Sequence, residues 1–424
     1  MKPESTTRRD FLKVAGVTFA AGALVNHAWA GGGSTIKVGL IGCGGRGNGA
    51  ASDCLAGSPN TKIVAIGDVF QHRVDSCRKN LSRHKDRVEL SDDRCFVGLD
   101  AYEKVINAGV DMVLLATPPG FRPLHLAAAV KAGKHIFTEK PVCVDGPGYR
   151  KVIAAYEEAL KKGLGIVAGT QRRHQTGYLE TMKRVHDGAI GKIVGGRVYW
   201  NQDNDLWFRQ RETGMTDVAY HCNNWYHFLW TCGDHIVEQH VHNLDVMNWA
   251  MGDHPVSAMG MGGRSNRPSG DPKVVGQIYD HFAVEFTFKD GTVINSFCRQ
   301  INGTIGNVSE TFVGTQGVCH AGDYVINKKR VLEGPDNRPY VQEHTDLVQS
   351  IEAGKPLNEL KQVADSTLTA VLGRQACYTG QVLSWDEVAN DSHDTFPTNL
   401  SWDMSLDVSP APLPGGARKP RRKK

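Results

Sequence analysis

A short apolar run that ends in four closely spaced glycines constrains this chain more than any other feature. Ile36 to Ile41 has the β-branched character of a buried strand, and Gly42-Cys43-Gly44-Gly45-Arg46-Gly47 follows it directly. Ala50-Ala51 and Cys54-Leu55 then recur at helical spacing. The sequence repeats this rhythm. Ile63-Val64-Ala65-Ile66 ends in Gly67-Asp68, Asp111 to Ala116 ends in Thr117-Pro118-Pro119, and His135-Ile136-Phe137 ends in Thr138-Glu139-Lys140-Pro141. Helical patterns such as Pro123 to Ala132 lie between the runs. Strands that alternate with helices must cross over in the same sense, which predicts a parallel, doubly wound sheet whose ligand sits at the strand carboxyl ends.

Each of those strand ends has a predicted job. Gly42 and Gly44 let the chain turn and let a phosphate approach the backbone. Gly45 and Arg46 open the helix whose N-terminus faces that phosphate, and Gly47 lets helix and strand pack closely. A GxGxxG pattern alone is weak evidence. Here it follows a strand, opens a helix and has Asp68 at the end of the next strand, where a carboxylate accepts ribose hydroxyls. The combination predicts a dinucleotide. Asp68 repels a 2′-phosphate and favours NAD(H), although Arg46 or Arg73 can offset that charge and leave NADP(H) open.

The N-terminus carries a second signal. Thr7-Arg8-Arg9-Asp10-Phe11-Leu12-Lys13, a modestly apolar run from Val14 to Val25, and Ala28-Trp29-Ala30 have the charged, hydrophobic and cleavage regions of a twin-arginine export peptide. The mature chain is expected to start near Gly31, in the periplasm or beyond, after passing the twin-arginine machinery. No later stretch is apolar enough to span a bilayer. The ten cysteines lack CxxC pairs, and folding before export predicts free, buried thiols. Six of the basic residues, Arg418, Lys419, Arg421, Arg422, Lys423 and Lys424, form a tail after a Pro/Gly-rich stretch, Pro410 to Gly416, that reads as a disordered linker. Without leader and tail the body is slightly acidic, which argues against a nucleic-acid surface.

From about Gly165 the pattern changes. Lys192 to Tyr199, His281 to Phe288, Thr292 to Phe297 and Thr311 to Val313 alternate polar and apolar residues, as an antiparallel sheet with one covered face does. Helices are predicted at Asp234 to Met251, Glu343 to Ala353 and Gln362 to Gly380. The fold class is thus α/β plus α+β. An export peptide occupies 1–30, a Rossmann dinucleotide-binding domain 35–160, an α+β domain with a large, mostly antiparallel open sheet 161–390, and an extension with a basic tail 391–424.

These residues resemble, in order from about 36 to 375, the glucose-fructose oxidoreductase, inositol dehydrogenase and rhizopine-catabolism (Gfo/Idh/MocA) family. The resemblance rests on the glycine opening, on Ala116-Thr117-Pro118-Pro119 with His125 beyond, on Glu139-Lys140-Pro141, and on His242-Asn243-Leu244-Asp245. It implies an active site between the two domains and a homo-oligomer formed through the open sheet. It also implies cofactor contacts from Thr117, Pro118, His125, Glu139 and Lys140, beside Gly42, Gly44, Gly45, Arg46, Gly47 and Asp68.

Oxidising a carbinol removes a proton from oxygen while a hydride leaves carbon, so a base and an orienting cation must stand beside that carbon. Lys140 matches the family's EKP lysine and His242 its catalytic histidine. Glu238 stands where many members have aspartate, and helical spacing places Glu238 and Asp245 on the face of His242, where a carboxylate can orient the imidazole. His235 and His240 belong to the same stretch and read as hydrogen-bonded neighbours. His221, Cys222, Cys232, His235, Glu238 and His242 crowd together without HExxH or CxxC spacing, so no metal is expected. Arg173 and His174, in Gln171-Arg172-Arg173-His174, and Asp245 are expected to bind substrate. The loop Trp200 to Arg211 has the aromatic and amide groups of a sugar site, or else it caps the sheet.

Three functions fit. The first is an exported NAD(P)-dependent oxidoreductase acting on a sugar, polyol or glycoside. The second is a redox-neutral NAD-dependent glycosidase that recycles a retained cofactor, attractive where no NAD pool exists. The third is a non-catalytic dinucleotide- or sugar-binding protein, against which the pairing of Lys140 with His242 argues.

Overall fold

Six short strands build the first sheet: β1 (Ile36–Ile41), β2 (Thr61–Asp68), β3 (Cys95–Val97), β4 (Met112–Leu115), β5 (His135–Thr138) and β6 (Ile166–Ala168). The description comes from a computed structural model that covers residues 35–415. The stretch expected to be an export peptide and the basic tail from Arg418 lie outside the described residues. All neighbours are parallel, in the order β3-β2-β1-β4-β5-β6. The order reverses between β1 and β4, and a crevice opens there at the carboxyl ends. Helices α1 (Gly45–Gly57), α2 (Gln71–Leu81), α3 (Ala101–Ile106), α4 (Arg122–Lys131) and α5 (Gly146–Lys162) supply the crossovers. Leu40 and Ile41, which point to opposite faces of β1, are both buried, as both-face coverage requires, and each such side chain contributes about 1.5–3 kcal/mol.

After α6 (Thr176–His186) the chain enters the second sheet at β7 (Ile193–Gln202). Helices α7 (Asp217–Asn223), α8 (His235–Glu238) and α9 (Val241–Met251) follow, and then β8 (Ser257–Gly263), β9 (His281–Thr287), β10 (Val293–Gln300) and β11 (Asn307–Gly314). β12 (Gly317–His320), β13 (Val325–Ile326) and β14 (Lys329–Arg330) extend one edge, and β15 (Leu383–Ser384) closes the other. The order is β14-β13-β12-β11-β7-β10-β9-β8-β15, and only β7 and β10 pair in parallel. One face packs Val284, Phe286, Ile294 and Phe312 against Ile236, Leu244, Leu368 and Leu372. Helices α10 (Pro339–Glu352) and α11 (Leu360–Thr379) return along the first sheet, where Ile166 donates its amide to Leu357 O at 2.7 Å.

Several expectations need correction. β6 extends the parallel sheet past the expected boundary at 160, and α11 contributes to both cores, with Leu360, Val363 and Ala364 in the first and Leu368, Val371 and Leu372 in the second; both sheets lie in one compact unit. The helix expected over 234–251 is two pieces. The Glu238 carbonyl, which would accept from the His242 amide, accepts from Lys140 Nζ instead, and the His242 amide turns to Gln239 O at 3.3 Å. The stretch read as a linker is pinned at Pro412, whose carbonyl accepts from Tyr279 Oη at 2.6 Å, and Gly415 donates to Thr379 O. All ten cysteines are unpaired and all but Cys95 are buried, so packing rather than cross-linking holds the fold. No helix among the described residues is long and apolar enough to cross a membrane.

Gly47 carries the closest packing in the first βα unit, because a Cβ there would sit 1.8 Å from Gly42 O. Gly47→Ala is expected to push α1 off the turn and cost about 1–3 kcal/mol. A melting temperature equal to that of the parent, with unchanged dinucleotide affinity, would contradict this packing role.

Candidate active site

A cleft of about 1160 Å³ opens between the sheets, at the carboxyl ends of β1, β2, β4 and β5. Gly42, with φ +100°, lies so near the end of β4 that a Cβ would meet Ala116 C at 2.6 Å. A Cβ on Gly45 would meet nothing within 4 Å, so the first turn of α1 faces open space with no acidic side chain. This is the cradle a pyrophosphate requires. Asp68 accepts the Cys43 amide (2.8 Å) and the Phe70 amide (3.0 Å), which fixes its carboxylate at the mouth of the crevice. Arg46 reaches over the cleft to Glu139 Oε1 (2.6 Å) and Asp53 (3.3 Å) and stacks on Tyr340. Thr117 Oγ1 hydrogen-bonds His125 Nδ1 at 3.1 Å, and burial drops the His125 pKa to about 3, so its ring is neutral. Of the residues expected to hold a dinucleotide, all but the packing glycine Gly47 line the cleft.

Lys140, Glu238 and His242 meet on the cleft wall. The Lys140–Pro141 bond is cis. Lys140 Nζ donates to Glu238 O and lies 3.4 Å from Glu238 Oε1, both side chains being about nine-tenths buried. His242 stacks on Trp200 from the inner face of β7, with ring centroids 5.7 Å apart at 23°. Burial first, and then the charge of Lys140, drive its pKa well below the ordinary value, so the imidazole is neutral. No hydrogen bond fixes its ring among the described residues. A cation beside a neutral, unengaged imidazole is the pairing that alcohol deprotonation needs.

The orienting carboxylate was misplaced by helical spacing. Glu238 belongs to Lys140, and Asp245 accepts from Arg173 Nε (2.8 Å), Arg173 Nη2 (3.0 Å) and Ser366 Oγ (2.7 Å). Arg173, His174 and Asp245 therefore do not line the cleft. A buried cation must be paired, and the whole basic run is taken up in this way. Arg172 is bound to Glu310, Arg173 to Asp245, and His174 lies 2.6 Å from Asp346 and 3.2 Å from Glu359. His240 Nε2 bonds Ser296 Oγ at 2.8 Å, whereas neither nitrogen of the buried His235 has a partner. His221 stacks on Phe228 and accepts from Trp230 Nε1. Among the described residues no group of three His, Cys, Asp or Glu side chains is arranged to hold a metal.

Other cleft residues escaped the sequence reading. Arg122, fully buried, donates to Leu115 O and Thr117 O, and desolvation lowers its pKa to about 10. Trp225, Gln239 and Tyr340 also face the cleft. Tyr340 lies some three hundred residues from the glycine turn, beyond the reach of any local motif. From the ambiguous loop, Trp207 and Arg209 reach the cleft and stack on each other at 4.7 Å.

Residues 36–166 match the oxidoreductase family with an NAD-binding Rossmann fold, and 178–319 match the GFO/IDH/MocA C-terminal domain. The chain is 27% identical over 227 residues to inositol 2-dehydrogenase of Azotobacter vinelandii, covering 53% of this chain and 56% of that protein. It is 23% identical to the scyllo-inositol 2-dehydrogenase (NAD(+)) of Bacillus subtilis, over 55% and 59% of the two chains. The match thus spans less than two thirds of these relatives' lengths. Among solved structures, scyllo-inositol dehydrogenase from Lactobacillus casei with bound NAD(H) and scyllo-inositol superposes with a TM-score of 0.63 at 19% identity, over 83% of this chain and all of that one. A probable dehydrogenase from Thermotoga maritima gives 0.61 at 17%, with the same coverage.

His174 offers a test of its structural role. Burial pulls its pKa down, but Asp346 and Glu359 outweigh that and hold it at about 9, above the ordinary 6.5. A folded pKa above the unfolded one stabilises fully below pH 6.5 and is lost as pH rises through about 9. The melting temperature should fall across that window, and His174→Gln should flatten the slope. Equal slopes in both proteins would remove the buried imidazolium.

Proposed function

The chain belongs to the Gfo/Idh/MocA oxidoreductase family, and we propose that it is an NAD-dependent oxidoreductase acting on a CH–OH group of a polyol, sugar or glycoside. The observation that carries this reading is the convergence of Lys140 and a neutral His242 on one cleft with the glycine cradle and Asp68. NAD is the cofactor of the Rossmann domain, and the Gly42–Gly47 turn, Asp68, Thr117, Pro118 and His125 would hold it. When bound it accepts or returns the hydride of the carbinol carbon.

The protein's own groups manage the proton. Lys140 Nζ, anchored by Glu238, points a fixed cation at the substrate oxygen and stabilises charge that develops there. His242 takes the hydroxyl proton at a ring nitrogen, and burial keeps it unprotonated beforehand. The Trp200 ring sets the plane of the imidazole, a task more often given to a carboxylate.

Two further features belong to this proposal. The twin-arginine signal supports export with NAD already bound. The uncovered face of the second sheet supports a homo-oligomer, since Met259, Met261 and Val313 are exposed there and Tyr199 stacks on Phe297. An isolated monomer exposes such apolar surface at a cost in solubility.

Lys140→Ala and His242→Ala are expected to lower kcat/KM by about 10²–10⁴-fold while NAD affinity, measured by calorimetry, changes little. Retained turnover in both variants would refute the assignment. Protein recovered from the periplasm should begin near Gly31, scatter light as an oligomer and release one dinucleotide per chain on denaturation. A cytoplasmic, unprocessed monomer without nucleotide would refute export and assembly together.

A further inference from the structure

Beside the cleft lies a second cavity of about 290 Å³, near the lower end of the range for small-molecule sites. Trp207, Trp225, Glu238 and Gln239 border both spaces, so the second cavity adjoins the reacting centre at Glu238, the partner of Lys140. Its remaining walls include Gln202, Asn204, Leu206 and Gln300.

We propose that this cavity is a subsite for a second sugar ring, which makes the substrate a glycoside of at least two rings. The inference rests on the oxidoreductase reading and adds the substrate class. Two indoles with amide side chains around them supply the apolar face and the hydrogen-bonding edge that a pyranose needs. The lining contains no lysine or arginine, while Glu238 and Asp205 are acidic, so an uncharged saccharide fits and a sugar phosphate does not.

The cavity is also preformed. Gln300 Nε2 donates to Gln202 Oε1 at 2.8 Å, and Arg267 Nη2 donates to Gln300 Oε1 at 2.6 Å. Asp205 accepts from the Asn302 amide at 3.2 Å and from the Asn266 side chain, and His227 Nε2 holds Trp207 O at 2.8 Å. Against these fixed walls stands one unsatisfied group, Glu238 Oε2, which is buried and has no partner. A buried carboxylate oxygen without a donor is costly, so this wall of the junction holds a polar group that the protein alone leaves unpaired. A single compact ring at Lys140 and His242 leaves the side cavity unused.

The test is calorimetric titration of NAD-saturated protein with cellobiose, maltose and lactose against glucose and galactose, with NADH absorbance followed in parallel. At least one disaccharide should bind about tenfold or more tightly than its component monosaccharides. Leu206→Trp, which fills the side cavity, and Asn204→Ala, which removes an exposed amide, should weaken that disaccharide about tenfold and leave monosaccharide binding within about twofold. Disaccharides that bind no better than monosaccharides, or variants that weaken both alike, would overturn the subsite. Tight, Leu206-sensitive binding with neither NADH formation nor cleavage of the disaccharide would keep the subsite and refute the oxidoreductase reading instead.

Discussion

A lysine amine buried between two sheets dictates much of this structure. Lys140 leaves the end of β5 with its charge enclosed, and Glu238 answers it twice, through its carbonyl and its carboxylate. Removing a cation from water costs several kcal/mol unless partners replace the lost hydration, so the two residues are bound to each other's positions. The consequence runs along the second domain. The carbonyl given to Lys140 is missing from the helical ladder, the helix breaks at Gln239–His240, and α9 restarts at an angle that lays His242 on Trp200. The cation and the base are therefore placed by the same contact.

The same rule governs the basic run at 171–174. Each of its charged side chains is buried or nearly so, and each meets a carboxylate from a distant segment: Glu310, Asp245, Asp346 or Glu359. Glu310 also accepts from Asn243 and Tyr178, so one acidic group ties β11, α9 and α6 together beneath the site. These pairs do not contact the cleft. They hold the second sheet against the first, so that groups on β5 and α9 stay within reach of one substrate.

Where a role was set by neighbours in sequence, the sequence displayed it. The glycine turn, Asp68 at its strand end, and the parallel sheet order follow from local patterns of period two and 3.6 joined by right-handed crossovers. Lys140 and His242 were visible as parts of motifs. The environment of His242 was not, because helical spacing assumes an unbroken helix and a lysine ninety-eight residues away interrupts it. Arg173, His174 and Asp245 were mistaken for substrate ligands for a related reason. A run of cations looks alike whether it faces a cleft or buried acids, and those acids are scattered over more than a hundred positions. Trp225, Gln239 and Tyr340 carry no motif and became visible only once both sheets were placed.

Among the described residues no carboxylate pairs with the His242 ring, which has its own chemical meaning. A carboxylate would raise the imidazole's basicity and hold the proton once taken. Here a neutral ring faces a fixed cation and stacks on an indole, an arrangement that makes the imidazolium unstable wherever water is excluded. A proton accepted by such a base is returned readily, either to solvent or to the substrate oxygen.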